Sequence, residues 1–321
     1  MKIKLNNTIE VEVEENETIF DSLKNNGYIL DHSCLSARCR SCITKLKSGR
    51  IEKIENDNVL SLQDEKENFI LSCNSIPLSD ISIDCNYINK ENFFTEKITP
   101  AKIQKIIKFN DNYLELQLRI PPGSDFKYNP GQYYNIIHDQ VERSYSLANV
   151  YEKDNILIMY IKNYKNGYMS NFLFNKANIN DLIRLKGPYG TFFLKNDNNN
   201  IVFLATGTGI APIKSILDNF NFSENKNIYL FWGMRNEEDF FWQPEFDQEI
   251  KFYKVISKPS DKNYKNKGYV QNIALNVIKD FSDYDVYACG SSSMINDSLK
   301  LFSKHKLNKE RFYSDAFVES K

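Results

Sequence analysis

The sequence predicts a multidomain chain: a small α+β domain over residues 1–90, an antiparallel β-barrel over 97–195, and an α/β domain with a parallel sheet over 200–321. Three observations carry this reading. At 321 residues the chain exceeds what one ordinary core organises. The hydrophobic pattern changes along it, from short alternating strands around one helix, through strands divided by Pro, Gly, Asn and Asp, to strand and helix in alternation. Cysteine use is local, with three of the six residues inside "CLSARCRSC".

Charge and composition narrow the function classes. The 41 Lys and Arg nearly balance the 42 Asp and Glu, so no global field favours nucleic acid or an anionic membrane. With 41% hydrophobic and 13% aromatic residues, the composition is that of a folded chain. No apolar run reaches the roughly 20 residues of a membrane span, and "MKIKLNNTIEVEVE" alternates like a strand rather than forming a signal peptide's apolar core. The expectation is a soluble, cytoplasmic protein. Disulfides are rare in that compartment, so clustered thiols hold a metal or do redox work.

In the first domain, "KIKL" and "IEVEV" read as a hairpin around Asn6 and Asn7, "TIFDSLKNNG" as an amphipathic helix ending at Gly27, and "CITKL" and "DISIDC" as returning strands. Between them, Cys34-x4-Cys39-x2-Cys42, followed by Cys73 in "ILSCNS", is the plant-type spacing for a [2Fe-2S] cluster held by four thiolates. A zinc ribbon would offer two C-x2-C pairs where this chain has one; a zinc site or unrelated buried thiols is the alternative. Ser33, Ser36, Ala37 and Ser41 are small enough to let the loop curl, so that backbone N–H groups point at sulfur. Arg38 and Arg40 flank Cys39, either offsetting cluster charge, docking an acidic partner or simply facing solvent. Cys85 lies outside the spacing and reads as structural. The stretch "NYINKENFFTEK" breaks the pattern as a linker.

In the second domain, "YLELQLRI", "GQYYNI", "SYSLANV", "ILIMYIKN" and "DLIRLKGPYG" are spaced as barrel strands. "RSYS", Arg143 to Ser146, combines a guanidinium, an aromatic ring and a hydroxyl, and "NGYMSNFLF" starts a helix at Tyr168, Met169 and Ser170 whose N-terminal N–H groups suit a phosphate. On its own Tyr145 is equally a strand aromatic facing the core. The polar "KNDNNN" then connects to the third domain. There "IVFLATGTGIAPIKSILDNF" runs from a buried strand through a glycine turn into a helix with Pro212 in its first turn. "NIYLFWGMR", "KFYKVIS" and "YDVYACG" supply further parallel strands, separated by "VQNIALNVIKDF" and followed by "SMINDSLKLFSKH", with helices expected on both faces. Arg235 in "WGMR" is placed to meet an adenine ribose or its 2'-phosphate. The three His have no ligand spacing and take no role.

"RSYS", "TGTGIAP", "ACGS" and the terminal "RFYSDAFVESK", in that order behind the cysteine motif, resemble the ferredoxin-NADP reductase superfamily with an N-terminal plant-type ferredoxin domain. The resemblance covers nearly the whole chain. It implies a β-grasp fold for the first domain and a flavin, FAD rather than FMN, on the barrel. Arg143 would pair with the flavin phosphate, Tyr145 pack on its rings and Ser146 reach its N5 edge. Gly207, Thr208 and Gly209 would approach the pyrophosphate of NADH or NADPH, Cys289 and Gly290 would sit beside the nicotinamide, and Phe317 would lie over the flavin. The family usually has Gly where this chain has Ala37, a substitution that strains the turn if the backbone needs positive φ.

Within the superfamily, "KGPYGTFFL", "FLATGTGIAPIKSIL", "WGMRNEEDFFW" and "FYSDAF" resemble the reductases that serve a CDP-4-keto-6-deoxyhexose 3-dehydrase in 3,6-dideoxysugar synthesis. This implies electron transfer from NAD(P)H through FAD and a [2Fe-2S] cluster to a partner, a pyridoxamine-dependent iron-sulfur sugar dehydrase. The same domain order serves as the reductase component of multicomponent oxygenases, which is the alternative client. A redox-sensing or ferredoxin-like binding module is the alternative of a different class, and it needs none of the nucleotide motifs. No acid-base triad is present and none is required.

Overall fold

The computed structural model describes residues 1–57, 59–90, 93–150, 156–195, 200–220, 226–245, 250–261 and 263–317. They divide into two compact units, Met1–Thr95 and Glu96–Lys321.

The first unit opens with β1 (Lys2–Leu5) and β2 (Ile9–Glu12), an antiparallel hairpin whose turn residues Asn6 and Asn7 have φ of 49° and 61°. Asn tolerates this left-handed geometry because its short amide bonds locally. Next comes α1 (Ile19–Asn25), started by Thr18, which accepts from Asp21 N, and followed by Gly27 at φ 93°. The remaining elements are β3 (Tyr28–Leu30), β4 (Ile43–Ser48), β5 (Ile51–Lys53), α2 (Leu62–Lys66), β6 (Phe69–Leu71), β7 (Ser75–Pro77), β8 (Ile81–Asp84) and β9 (Tyr87–Asn89). The main sheet runs β2-β1-β8-β4-β6, with β1 and β8 parallel and the other pairs antiparallel. Ile3, Leu5, Ile81 and Ile83 from the sheet and Ile19, Phe20 and Leu23 from α1 form one core. The expected linker differs from the observed chain: its residues Tyr87–Asn89 form β9 and pair with β3, while residues 91 and 92 lie outside the described set.

In the second unit six antiparallel strands come first: β10 (Lys97–Lys108), β11 (Tyr113–Arg119), β12 (Tyr133–His138), β13 (Val141–Ser146), β14 (Ile156–Lys162) and, after α3 (Tyr168–Asn175), β15 (Leu182–Tyr189). Their order is β13-β12-β15-β10-β11-β14. Just past β13, Leu147 bridges Met159 of β14 and Ala148 N donates to Ile158 O at 2.8 Å, so the two ends of the sheet meet and it curls into a barrel-like form. Leu114, Leu116 and Leu118, alternating along β11, fill its interior with Tyr134, Ile136, Met169 and Leu173.

A parallel sheet follows: β16 (Asn200–Thr206), α4 (Ile210–Asn219), β17 (Ile228–Met234), β18 (Ile250–Ile256), α5 (Val270–Val277), β19 (Tyr284–Gly290), α6 (Ser292–Ser303) and β20 (Phe312–Ala316), in the order β18-β17-β16-β19-β20. Ile201, Phe203 and Ala205 share a core with α4, and the intervening Val202 and Leu204 are fully buried on the other face, as a sheet covered on both sides requires. β20 was not among the expected strands; the terminal segment joins the sheet parallel to β19. The connector expected at "KNDNNN" falls largely on 196–199, outside the described residues. Among the described residues no helix is long and apolar enough to cross a membrane.

Candidate functional site

Cys34, Cys39 and Cys42 lie on the loop between β3 and β4, and Cys73 follows β6 in a short turn. The thiols form two pairs. The Cys39 thiol lowers the pKa of Cys34 to about 5 by hydrogen bonding, against burial and with help from Ser36 and the Arg38 N–H, while the same bond and burial push Cys39 up. The Cys42 thiol donates to Cys73 Sγ at 3.1 Å. Backbone N–H groups aim at the sulfurs: Ser36 N and Arg38 N each lie 3.4 Å from Cys34 Sγ, and Cys34 N lies 3.3 Å from Cys39 Sγ. The loop reaches this shape through left-handed residues that are not glycine, Leu35, Ala37 and Arg40, at φ of 49°, 55° and 67°.

Among the described residues no group of three His, Cys, Asp or Glu is arranged around a single metal ion. Two adjacent dithiol pairs are the donor set of a two-iron centre rather than a mononuclear zinc site, and the N–H groups on sulfur suit an anionic cluster. The residues present therefore fit the [2Fe-2S] group. Cys85 stays apart, with its thiol pushed up to about 12 by burial and then by the charges of Asp31 and Asp84.

The two loop arginines separate in role. Arg40 is turned onto α2, where Nη1 and Nη2 each lie 2.7 Å from a different oxygen of Asp64, and the two side chains are 13% and 7% exposed. Asp64 also accepts from Ser61 N and Oγ at the start of α2. Sequence reasoning passed over Asp64, although Ser61-x-x-Asp64 is a capping-box pattern legible without the fold. Arg38 stays half-exposed.

On the curled sheet, among the described residues, β13 is bonded in register only to β12, with Arg143 opposite Ile136, Tyr145 opposite Tyr134 and Ser146 opposite Tyr133. Pleat alternation places Arg143 and Tyr145 on one face and Ser146 on the other. Arg143 Nη1 donates to the Glu142 carbonyl at 2.8 Å, Tyr145 packs at the margin of the barrel core with its phenol pushed up by burial, and Ser146 is buried. At the start of α3 the exposed Tyr168 donates to Asp139 Oδ2 at 2.8 Å and meets His138 Nδ1 at 3.2 Å, which ties the β12–β13 turn to the helix. The Met169 side chain belongs to the barrel core, and Ser170 Oγ, 3.1 Å from the carbonyls of Tyr164 and Gly167, holds the turn before the helix.

At the carboxyl ends of β16 and β19 the glycine turn forms by close approach. A Cβ on Gly209 would lie 2.3 Å from the Cys289 carbonyl, and one on Gly290, at φ 144°, would lie 2.0 Å from Thr206 Oγ1. Gly207 has φ 58°, and its carbonyl accepts from Trp232 Nε1 at 3.0 Å. Thr208 is buried and Arg235 exposed just past β17. Cys289 is completely buried, its thiol pushed well up by burial and then by the charge of Asp315. Phe317 N donates to the Gly290 carbonyl at 2.8 Å, so the last described aromatic is fixed beside the turn that carries Cys289. A turn narrowed by glycine, at the strand ends of a parallel sheet, fits a dinucleotide.

Paired thiols, an arginine-bearing strand on a curled sheet and a glycine turn on a parallel sheet together define an NAD(P)H-dependent oxidoreductase of the iron-sulfur flavoprotein class. Three family models match accordingly: the 2Fe-2S iron-sulfur cluster binding domain over 3–78, the oxidoreductase FAD-binding domain over 100–194 and the oxidoreductase NAD-binding domain over 203–300. The chain belongs to the family of the CDP-6-deoxy-L-threo-D-glycero-4-hexulose-3-dehydrase reductase of Yersinia pestis, with which it shares 34% identity over 95% of this chain and 94% of that protein. It is also similar to the reductase component of propane 2-monooxygenase from Mycolicibacterium smegmatis, at 27% identity over 97% of this chain and 94% of that protein. In fold it matches the solved ferredoxin reductase in carbazole 1,9a-dioxygenase, with a TM-score of 0.68 over 99% of this chain and 98% of that chain at 21% identity.

Proposed function

We propose that this chain draws electrons from NAD(P)H and delivers them to a CDP-4-keto-6-deoxyhexose 3-dehydrase, a pyridoxamine-dependent iron-sulfur enzyme of 3,6-dideoxysugar synthesis. The observation that carries the partner is the 34% identity along 95% of the chain to a reductase named for that dehydrase. When bound, the flavin takes one hydride, an electron pair, and the cluster carries one electron at a time, so a two-electron donor becomes a one-electron supply.

The chain's own residues orient these groups. Cys34 with Cys39, and Cys42 with Cys73, ligate the cluster. Arg143 grips the flavin phosphate in a fork, Tyr145 packs on the rings and Ser146 bonds their reactive edge. The first-turn N–H groups at Tyr168, Met169 and Ser170 take a second phosphate contact. Gly207, Thr208 and Gly209 admit the nucleotide pyrophosphate, Arg235 meets its adenosine end, and Cys289, Gly290 and Phe317 border the nicotinamide position. We assign the domains to 1–90, 97–195 and 200–321. The first is a β-grasp unit, in keeping with its mixed sheet and single packed helix, and the second is a closed barrel. Six unbridged cysteines suit the reducing cytoplasm.

A second client, the hydroxylase or dioxygenase of a multicomponent oxygenase, is supported by the full-length likeness to the propane 2-monooxygenase reductase component. The test is an anaerobic visible titration of the holoenzyme with NADH and then NADPH, followed by addition of the dehydrase or the oxygenase. Bleaching of flavin and cluster bands together, with reoxidation on adding the dehydrase, is expected. Reoxidation by the oxygenase alone would move the chain to the second client, and flavin bleaching without cluster absorbance would remove the iron-sulfur assignment.

A further inference from the structure

The three glycines at the turn are glycine for different reasons. Gly209 and Gly290 are already filled by protein, since a Cβ at either would run into backbone or side-chain atoms at 2.3 and 2.0 Å. Gly207 is not: a Cβ there would find nothing closer than the Tyr113 hydroxyl at 3.8 Å. The space over Gly207 is thus open, and its nearest wall is one phenol oxygen.

That oxygen comes from the other sheet. Tyr113 begins β11 of the barrel-like sheet, and its ring packs into the core shared with β16 and α4, 5.3 Å from the ring of Phe241. The residue is 7% exposed. Its backbone N–H is taken by Asn110 Oδ1 at 3.0 Å, and its hydroxyl is the side-chain atom that borders the space over Gly207. The neighbouring Gly207 carbonyl is already engaged by Trp232. Burial, and then the charge of Asp239, push the phenol up to about 12, so at neutral pH it is a proton donor. A phenol at the wall of a space open to a ligand can donate to an acceptor that enters it.

We propose that Tyr113 is a binding residue of the nucleotide site, contributed by the barrel-like sheet, whose hydroxyl donates to a pyrophosphate oxygen of NAD(P)H as it passes over Gly207. The assignment rests on the reading that this turn receives the nucleotide. It makes the nucleotide site a joint product of both sheets of the second unit, so nucleotide affinity depends on their mutual packing.

Tyr113→Phe removes the donor and keeps the ring. In holoenzyme of unchanged flavin and iron content, titration with ADP-ribose, which carries the pyrophosphate without the nicotinamide, is expected to show about tenfold weaker binding, or about 1.4 kcal/mol. Anaerobic stopped flow is expected to show the same loss in apparent NADH affinity with the limiting rate of flavin reduction preserved. Equal ADP-ribose affinity in variant and parent overturns the Tyr113 assignment while leaving the nucleotide turn intact. Failure of the parent to bind ADP-ribose or NADH overturns the nucleotide reading itself. A fall in the limiting rate with unchanged affinity also overturns the proposal, because it places Tyr113 at the reacting end.

Discussion

The Arg40 guanidinium grips the Asp64 carboxylate through two hydrogen bonds of 2.7 Å, joining the middle of the cysteine loop to α2. Burial alone would raise the Asp64 carboxyl; the Arg40 bonds, followed by those from Ser61, hold it well below the usual carboxylate range. A carboxyl held down in the fold stabilises it fully above the unfolded pKa of about 3.9, and that contribution is lost as pH falls below this value. Asp64→Asn leaves Arg40 buried without its counter-charge and is expected to destabilise the first unit by about 3–5 kcal/mol at neutral pH. Melting followed by the visible circular dichroism of the cluster checks this. The gap between parent and variant should narrow below pH 4, and a gap independent of pH would show that the carboxylate charge is not what holds the loop.

Ala37 occupies a left-handed position at φ 55°. A Cβ in that region costs about 1–2 kcal/mol, and the greater unfolded-state freedom of glycine returns about 0.5–1 kcal/mol of this. Ala37→Gly is therefore expected to stabilise the loop by up to about 1.5 kcal/mol and to slow cluster loss in air, read as the decay of visible absorbance. Faster decay would mean that the alanine methyl shields the site more than it strains it.

Cys42 and Cys85 are both cysteines of the first unit, yet only Cys42 is paired with another thiol. Cys42→Ser should lose cluster absorbance and reduction of cytochrome c by NADH while flavin reduction by NADH persists. Cys85→Ser should keep iron content and both activities at parent level. Cytochrome c reduction surviving in Cys42→Ser would show that electrons leave by another route.

The elements with local chemistry were legible in the sequence. The Asn6-Asn7 turn, the Thr18 and Gly27 ends of α1 and the glycine turn before α4 each carry their cause within a few residues. What was hidden depends on distant pairing. β9 is a polar Tyr-Ile-Asn stretch whose partner lies some sixty positions earlier at Tyr28–Leu30, so no local period marks it as a strand. β20 is an edge strand with three of its five residues only half-buried, which blurs the apolar run a parallel strand shows elsewhere. The cysteine spacing singled out Cys34, Cys39, Cys42 and Cys73 as candidates but not their division into two thiol pairs. Nothing in the sequence separates Tyr113 from any other strand aromatic, because its significance lies in a glycine far along the chain.

Cys289, sealed behind the glycine turn, bears on how this enzyme responds to chemical modification. Its thiol is wholly enclosed and held protonated, whereas Cys34 and Cys73 are partly exposed. Alkylating reagents need an accessible thiolate. They will reach Cys34 and Cys73, the partly exposed members of the cysteine cluster, once iron has been lost and leave Cys289 untouched. Inactivation by maleimide or iodoacetamide should therefore follow the kinetics of iron release, making label uptake a gauge of how much of a preparation has lost its iron.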